Sequence, residues 1–536
     1  MVSNEVYTGA GASVTLIPEM DFDVGVGMNQ ASGNLDINDT NLNVVEWALS
    51  GANADKILVT NLYQGCMAKV TVFQSNNSTV RTAEQTLLIK SNDDKTITFN
   101  VDLTTTANND DRARVVIQGF GAPLFRPSDT ADKPYLLADN WLGLVQTIAP
   151  PTIDVENKQY NLAMGVTRDF GFQFKGREII GNGSLDIAVN NGSWLYYVLG
   201  EQAITATTTS AEDLTSAKVD ENELYLDTST GNNTKFRRVI VGTGAAKTIL
   251  PPLKSVDVAT ESEQVNATIT NGVPIVDNDI TYTFTPSNGA ILPSFALELT
   301  KEKDGQLLTA GVDAKTNVDA TISRQKIWSR IYTGCQVNSL TLSFEEGMEL
   351  KSTVDFLSRR VFDAPTGYVP KANVPEPKNL LNYHSDQDYN QPFMFSDGAI
   401  RIYGQEYARV KSGTLTITNT LTPHTFIGNY DRSITSAHTA GQRMYELSLT
   451  MLITDSELWD KLREDNELQD AATASLIDLT FIKNSTEKIQ LSFDNYLVTN
   501  VDVPFPEDKS AIEVTMTATA RTLKTASYTG RWVIMG

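Results

Sequence analysis

The sequence predicts an all-β protein of antiparallel hairpins, one of which it makes twice. Short runs rich in β-branched residues recur along the 536 residues, and many are bounded by Asn, Asp, Gly or Pro. Two longer stretches, Val337 to Phe356 and Val498 to Ala518, alternate apolar and polar residues on both limbs. That period of two describes strands with one buried face. In the first, Leu340, Leu342 and Phe344 alternate with Thr341 and Ser343. Glu345-Glu346-Gly347 turns, and Leu350, Ser352, Val354 and Phe356 share one face of the return. In the second, Val501, Val503 and Phe505 go out, Pro506-Glu507-Asp508 turns, and Ile512, Val514, Met516 and Ala518 come back. The outgoing limbs superimpose at a constant offset of 161, from Val337/Val498 through Leu340/Val501 and Phe344/Phe505 to Glu346/Glu507. The returns match at 162, and such spacing marks a duplicated unit.

Length and composition bound the rest. A chain this long exceeds one core and suggests three or four domains. With 41% hydrophobic and 8% aromatic residues it has the means to pack them. A formal charge of −22 argues against nucleic-acid binding by phosphate neutralisation, which needs clustered Lys and Arg. Cys66 and Cys335 lie too far apart in sequence to form the framework that staples small secreted domains. Met1 to Glu5 offers no basic start for a secretory signal, and no apolar run reaches the ~20 residues of a membrane span. The expectation is a soluble chain made in a cytoplasm, without a membrane partner.

From residue 1 to 148 the reading is an N-terminal β-domain, ended by Pro150-Pro151. Its strands are Ile57 to Val59, Val70 to Phe73, Leu87 to Ile89, Ile97 to Phe99 and Val115 to Ile117, with Asn92-Asp93-Asp94 as a hairpin turn. Thr40 to Gly51 fits a short helix or a strand equally. Tyr63-x-Gly65-Cys66 echoes Tyr332-x-Gly334-Cys335, too few positions for a third repeat.

Residues 149–362 form the first copy. Leu185, Ile187 and Val189 alternate as a strand, and Ser193 to Leu199 reads as a short helix stopped by Gly200. In the second copy, 393–536, Leu447, Leu449 and Met451 precede a helix with Thr454 and Glu457 as a capping box. These strands are offset by 262 while the hairpins are offset by 161, so the first copy holds about 101 extra residues. A surface insertion around 201–290 accounts for them. Between the copies, residues 363–392 carry Pro365, Pro370, Pro375, Pro377 and Pro392, the composition of an extended connector. A short apolar tail ends the chain.

Catalytic patterns are missing. His384, His424 and His438 fall in the connector or in loop-like stretches, without the spacing of a zinc site. Val239 to Thr248 imitates a strand entering a phosphate loop, but Lys247 stands where the second glycine belongs and Pro251-Pro252 blocks the helix. Asp36 to Asn41 opens like a calcium loop and lacks its glycine and its closing carboxylate, so it reads as a turn. No cofactor, metal or enzymatic activity is expected.

The run Tyr332 to Ser343, its Glu-Glu-Gly turn and Val354-Asp355-Phe356, together with Arg409 to Asn419 and the Leu447 strand, resembles the tail tube proteins of long-tailed bacteriophages. The resemblance covers about 150 to 525. It implies a β-sandwich or partial barrel with a flanking short helix, in two copies, stacking in rings around a lumen. Single-copy members form sixfold rings, so a tandem copy implies three chains per ring. It further implies a virion protein, assembled in the host cytoplasm beside other tail proteins, through which DNA passes without specific binding. An acidic lumen would repel the duplex rather than hold it. On this reading Glu345, Glu346, Gly347, Glu349, Glu507 and Asp508, at the hairpin tips, contact other rings or subunits; the bland alternative is a solvated turn. The rival readings are a baseplate or capsid decoration subunit, which would not polymerise, and a secreted adhesive or carbohydrate-binding β-protein, which would need an export signal.

Overall fold

The computed structural model describes residues 12–302, 327–363, 391–452, 477–504 and 511–530, with breaks inside those spans, among them 161–171 and 250–268. Its first module begins with strand β1 (Ala12–Pro18) and resumes at β2 (Leu144–Ala149). A ribbon of β3 (Ile153–Tyr160) and β4 (Phe172–Ile180) leads to β5 (Asn182–Ala188) and helix α1 (Ser193–Leu199). Then come β6 (Gly200–Ala206), β7 (Ile280–Pro286), β8 (Phe295–Glu302), β9 (Ile327–Glu345), β10 (Lys351–Leu357) and β11 (Arg360–Asp363). The second module runs β12 (Gly398–Ile402), β13 (Val410–Thr418), a ribbon of β14 (Leu421–His424) and β15 (Ala437–Ala440), then β16 (Met444–Leu452), β17 (Ile477–Ile482), β18 (Lys488–Asp502) and β19 (Glu513–Thr529).

The two hairpins are β9–β10 and β18–β19, and they share a register. Leu340 pairs Val354 while Val501 pairs Met516. A bulge lies between Val337 and Ser339 in one, and between Val498 and Asn500 in the other. Bulges are built features of a strand pair, and one stands at the same place in both hairpins. The next pair of strands repeats the device. β2–β5 bulges between Val145 and Thr147, and β13–β16 between Val410 and Ser412. Register also corrects the alignment made from sequence. Leu185 faces Val354 and Leu449 faces Met516, so the strands correspond at 264 (449 − 185), not 262. The alternation of Leu447, Leu449 and Met451 survives a slip of two residues unchanged, which is why sequence alone misses it.

One continuous sheet joins the modules in the order β2-β5-β10-β9-β13-β16-β19-β18-β17-β12. Its inner face is the core: Leu185, Leu340, Leu342, Phe344, Val354, Phe356, Leu415, Leu447, Leu449 and Met516 are all buried in one cluster. α1 covers this face with Trp194, Leu195 and Val198, and stops at Gly200, whose φ of +110° favours glycine. The second module's capped helix and its connector, including His384, lie outside the described residues.

Two segments interrupt the first module. In the second module β12 pairs β17, Ile400 opposite Leu479; in the first, β1 pairs β8, Val14 opposite Leu299. The residues read as an N-terminal domain are therefore an insertion between the first and second strands of module one, and Leu144–Ala149 belongs to the large sheet. The insertion closes a six-stranded barrel, because Met67–Phe73 pairs both Val80–Asn92 and Arg112–Ile117. Val44–Glu46 settles the Thr40 region as strand, Asp93 Oδ1 caps the predicted turn by accepting from Lys95 and Thr96, and Asn38 Oδ1 does the same for Thr40 and Asn41. The segment after Gly200 is more than a surface loop: β6 and β7 frame it, and strands between Glu212 and Pro274 make a sheet of their own.

The barrel is fixed to the module by a buried polar knot. Glu19 Oε1 accepts from Gly334 N (2.8 Å), and Oε2 from Gly121 N (2.9 Å) and Ser294 Oγ (2.5 Å). The Arg359 guanidinium donates to Gly65 O and to Cys66 Sγ (3.1 Å), and a Cβ on Gly334 would collide with its Cβ. The two Tyr-x-Gly-Cys runs thus meet at one arginine; their echo marks a junction. Both cysteines are buried free thiols. His438, expected in a loop, sits instead in β15, buried, with Nδ1 3.1 Å from Gln336 Oε1 and its ring against Phe120; His424 is likewise in a strand, β14.

Burial pushes the Glu19 carboxyl up to about 7, against the pull of its three donors and Arg359. Burial, reinforced by Arg359 and His424, pushes His438 down to about 4. The two act in opposite directions on stability. Glu19 contributes stability that is complete below its unfolded value and is lost as pH rises through about 7; His438 contributes stability that is complete above its unfolded value and is lost as pH falls through about 4. Each change is worth about 3 kcal/mol over its window. Thermal unfolding of Glu19→Gln, compared with wild type across pH 4–8, is expected to lack the downward slope, and His438→Asn the upward one. Difference curves that are flat for both variants would refute the assignment.

Candidate functional surface

The outer face of the sheet follows from the same alternation that fills the core. Residues between the buried ones are mainly Thr, Ser, Asp and Glu, and pairing sets them in rows across both modules. One row runs Thr147, Asp186, Thr353, Thr341, Thr416, Glu446, Thr519. Thr147 Oγ1 and Thr353 Oγ1 donate to Asp186 at 2.5 and 2.8 Å, and Thr341 meets Thr416 at 3.3 Å. Those hydroxyls, Thr147 first, hold the Asp186 carboxyl below the usual range, so it stays charged. A parallel row ends in Glu345, Ser412, Thr450, Thr515 and Asp502. Asp355 and Glu513 add carboxylates beside Lys351 and Lys411, and Lys411 Nζ donates to Glu513 at 2.5 Å. Across these rows Asp186, Glu345, Asp355, Glu446, Asp502 and Glu513 outnumber Lys351 and Lys411, so the rows are hydroxyl-rich and net negative.

The first hairpin tip stands beside it. Glu345 and Glu346 are exposed, and Glu346 N donates to Lys411 O at 2.9 Å. Gly347 holds φ +78° in open space, as the turn requires. Glu349 turns back to the sheet, accepting from Gln146 at 2.9 Å with Lys351 at 3.5 Å; the Gln146 bond leads the causes that lower its pKa. Glu507 and Asp508 lie outside the described residues. Asp186, Asp355, Glu446, Asp502 and Glu513 were not singled out from sequence, although the polar positions of the alternating limbs contained them.

Between the modules the sheet is continuous through main-chain pairing of β9 with β13, Ser339–Glu345 against Ser412–Thr418. Behind that seam Phe344 lies against Gly413, where an added Cβ would overlap the Phe344 ring and Leu449 Cδ2. No cluster of three His, Cys, Asp or Glu able to hold a metal occurs among the described residues, and none of their helices is long and apolar enough to cross a membrane.

The surface is one face of an all-β sheet whose other face is packed, and the class of protein is given by its family. The family described as phage tail tube protein matches residues 98–520, and the chain belongs to it. It is a structural component of a virion tail, in a family that is not one of enzymes. Among solved structures, a chain of the virion of a native gene transfer agent particle is similar over 24% of this chain and 95% of its own, with 15% identity and a TM-score of 0.18. No curated protein matches.

Gly413→Val is expected to destabilise the isolated chain by about 1–3 kcal/mol through overpacking at the seam. Urea unfolding measures this, and an unchanged midpoint would show that Phe344 moves aside without cost.

Proposed function

We propose that the chain polymerises as stacked rings into the tail tube, a conduit whose wall turns the hydroxyl-carboxylate face toward passing DNA. The internal seam carries this reading. β9 and β13 are joined, and their counterparts β18 and β2 stand at the far ends of the repeated strands. Among the described residues the outward edges of β2 and of residues 500–502 of β18 have no partner strand. Exposed edges of this kind invite pairing. Joining β18 of one chain to β2 of the next repeats the internal seam head to tail, a contact that makes a ring when its rotation closes. Three chains then supply the six modules of the wall.

The carboxylates of the outer face repel phosphates, so DNA slides without a binding site, and assembly takes place in the host cytoplasm beside other tail proteins. Glu345, Glu346, Gly347 and Glu349, with Glu507 and Asp508 on the second tip, contact the next ring or subunit. Cryo-electron microscopy of concentrated protein is expected to show hollow tubes with three chains per ring. Six chains per ring would end the tandem reading, and solid or unpolymerised particles would favour a baseplate or decoration subunit. Reversing Glu345 and Glu346 to Lys is expected to shorten the tubes while thermal stability stays within about 0.5 kcal/mol, as for exposed surface changes. Full-length tubes from that variant would leave the tip as a solvated turn.

A further inference from the structure

The ribbon β3–β4 is the counterpart of β14–β15, and the register is preserved. Ile153 pairs Ile180 where Thr418 pairs Met444, and Gln159 pairs Gln173 where His424 pairs Ala437. The fates of the two ribbons differ. β14–β15 is seated on the first module of its own chain. His438 is 2% exposed against Gln336, Leu421 N donates to Asn338 Oδ1 (2.8 Å), and Asn419 Nδ2 donates to Val337 O (3.1 Å). β3–β4 stands away from the body, with Tyr160, Phe172 and Phe174 exposed by 55, 60 and 48% on one face and Tyr160 stacked on Phe174. A two-stranded ribbon with an aromatic face is marginal alone in water.

We infer that the β3–β4 ribbon of each chain seats on the second module of the neighbouring chain in the same ring, in the position β14–β15 occupies on the first module of its own chain. The inference rests on the ring reading and extends its seam outward from β2. Counterparts identify the contact: Phe174 corresponds to His438 and Leu497 to Gln336. The polar pair inside the chain becomes an apolar pair between chains. The receiving surface is open as this requires. Gln336 is fully buried where it meets His438 of the internal ribbon, whereas its counterpart Leu497 is only half-buried, and Thr499, in the place of Asn338, is exposed. Asp154 replaces the donor Asn419, so the ribbon depends on its aromatic face instead of that hydrogen bond.

The test is a cysteine pair, Phe174→Cys with Leu497→Cys, in full-length protein assembled into tubes and then oxidised, with each single variant as control. Non-reducing electrophoresis is expected to show cross-linked species that stop at the number of chains in one ring. Tubes that form without cross-links would overturn the proposal while leaving the ring reading intact. A ladder extending past one ring would also overturn it, by placing the ribbon on the next ring. A wild-type chain that never forms rings would sink both. As a second measure, Tyr160→Ser, Phe172→Ser and Phe174→Ser combined is expected to leave the unfolding temperature unchanged and to lower tube yield at least tenfold; wild-type yield would overturn the proposal.

Discussion

The structure depends on a main-chain seam. Where β9 meets β13, two halves that each need a partner strand find one in the other, and the strands of both modules become a single sheet. Backbone pairing is indifferent to side-chain identity, so the seam survives sequence drift between the copies. What it demands is register, because a slip of one residue would turn the whole apolar set outward. The duplicated bulges keep the ladders in register, and Gly413 lets Phe344 lie close to the seam.

The hairpins were legible because both limbs alternate strictly and the structure buries the residues alternation selects, Leu340, Leu342, Phe344, Val354 and Phe356. Insertion was harder to see. β1 is a short strand with no marker tying it to partners almost three hundred residues away, so the barrel after it reads as a leading domain. Only pairing of Val14 with Leu299 reveals that module one starts before the barrel. The polar face was overlooked for another reason. Thr and Ser between apolar residues look like filler until register aligns them across several strands, and then Thr147, Asp186 and Thr353 become one hydrogen-bonded row.

The insertion also explains why a buried carboxyl is tolerated at Glu19. A barrel entering between two strands must be fixed where the chain leaves and re-enters the module, and loops at that point carry backbone N–H groups that need acceptors. Glu19, directly after β1, supplies acceptors to Gly121 of the barrel and to Gly334 and Ser294 of the module. Arg359 approaches from the module with donors for Gly65 and Cys66 of the barrel. The positive φ of Gly65, Gly121 and Gly334 exposes the groups this knot uses. Removing one member would strand the others in a dry site, and that dependence fixes the docking geometry more firmly than the modest net strength of the bonds.

Duplication within one chain makes the two kinds of seam chemically unequal. The internal one is held by the polypeptide, so its second ribbon docks at an effective concentration set by the linker and needs little apolar area. A buried polar pair such as His438 with Gln336 suffices there, and it adds geometric specificity. A seam between separate chains must supply the loss of translational and rotational freedom from its own contacts. Aromatic burial is the largest source available on a thin ribbon, and Tyr160, Phe172 and Phe174 stand where the internal ribbon carries small or polar residues. In the proposed ring, the difference between the two copies would record which contact is tethered and which is not, and would let one chain distinguish its own second module from its neighbour's.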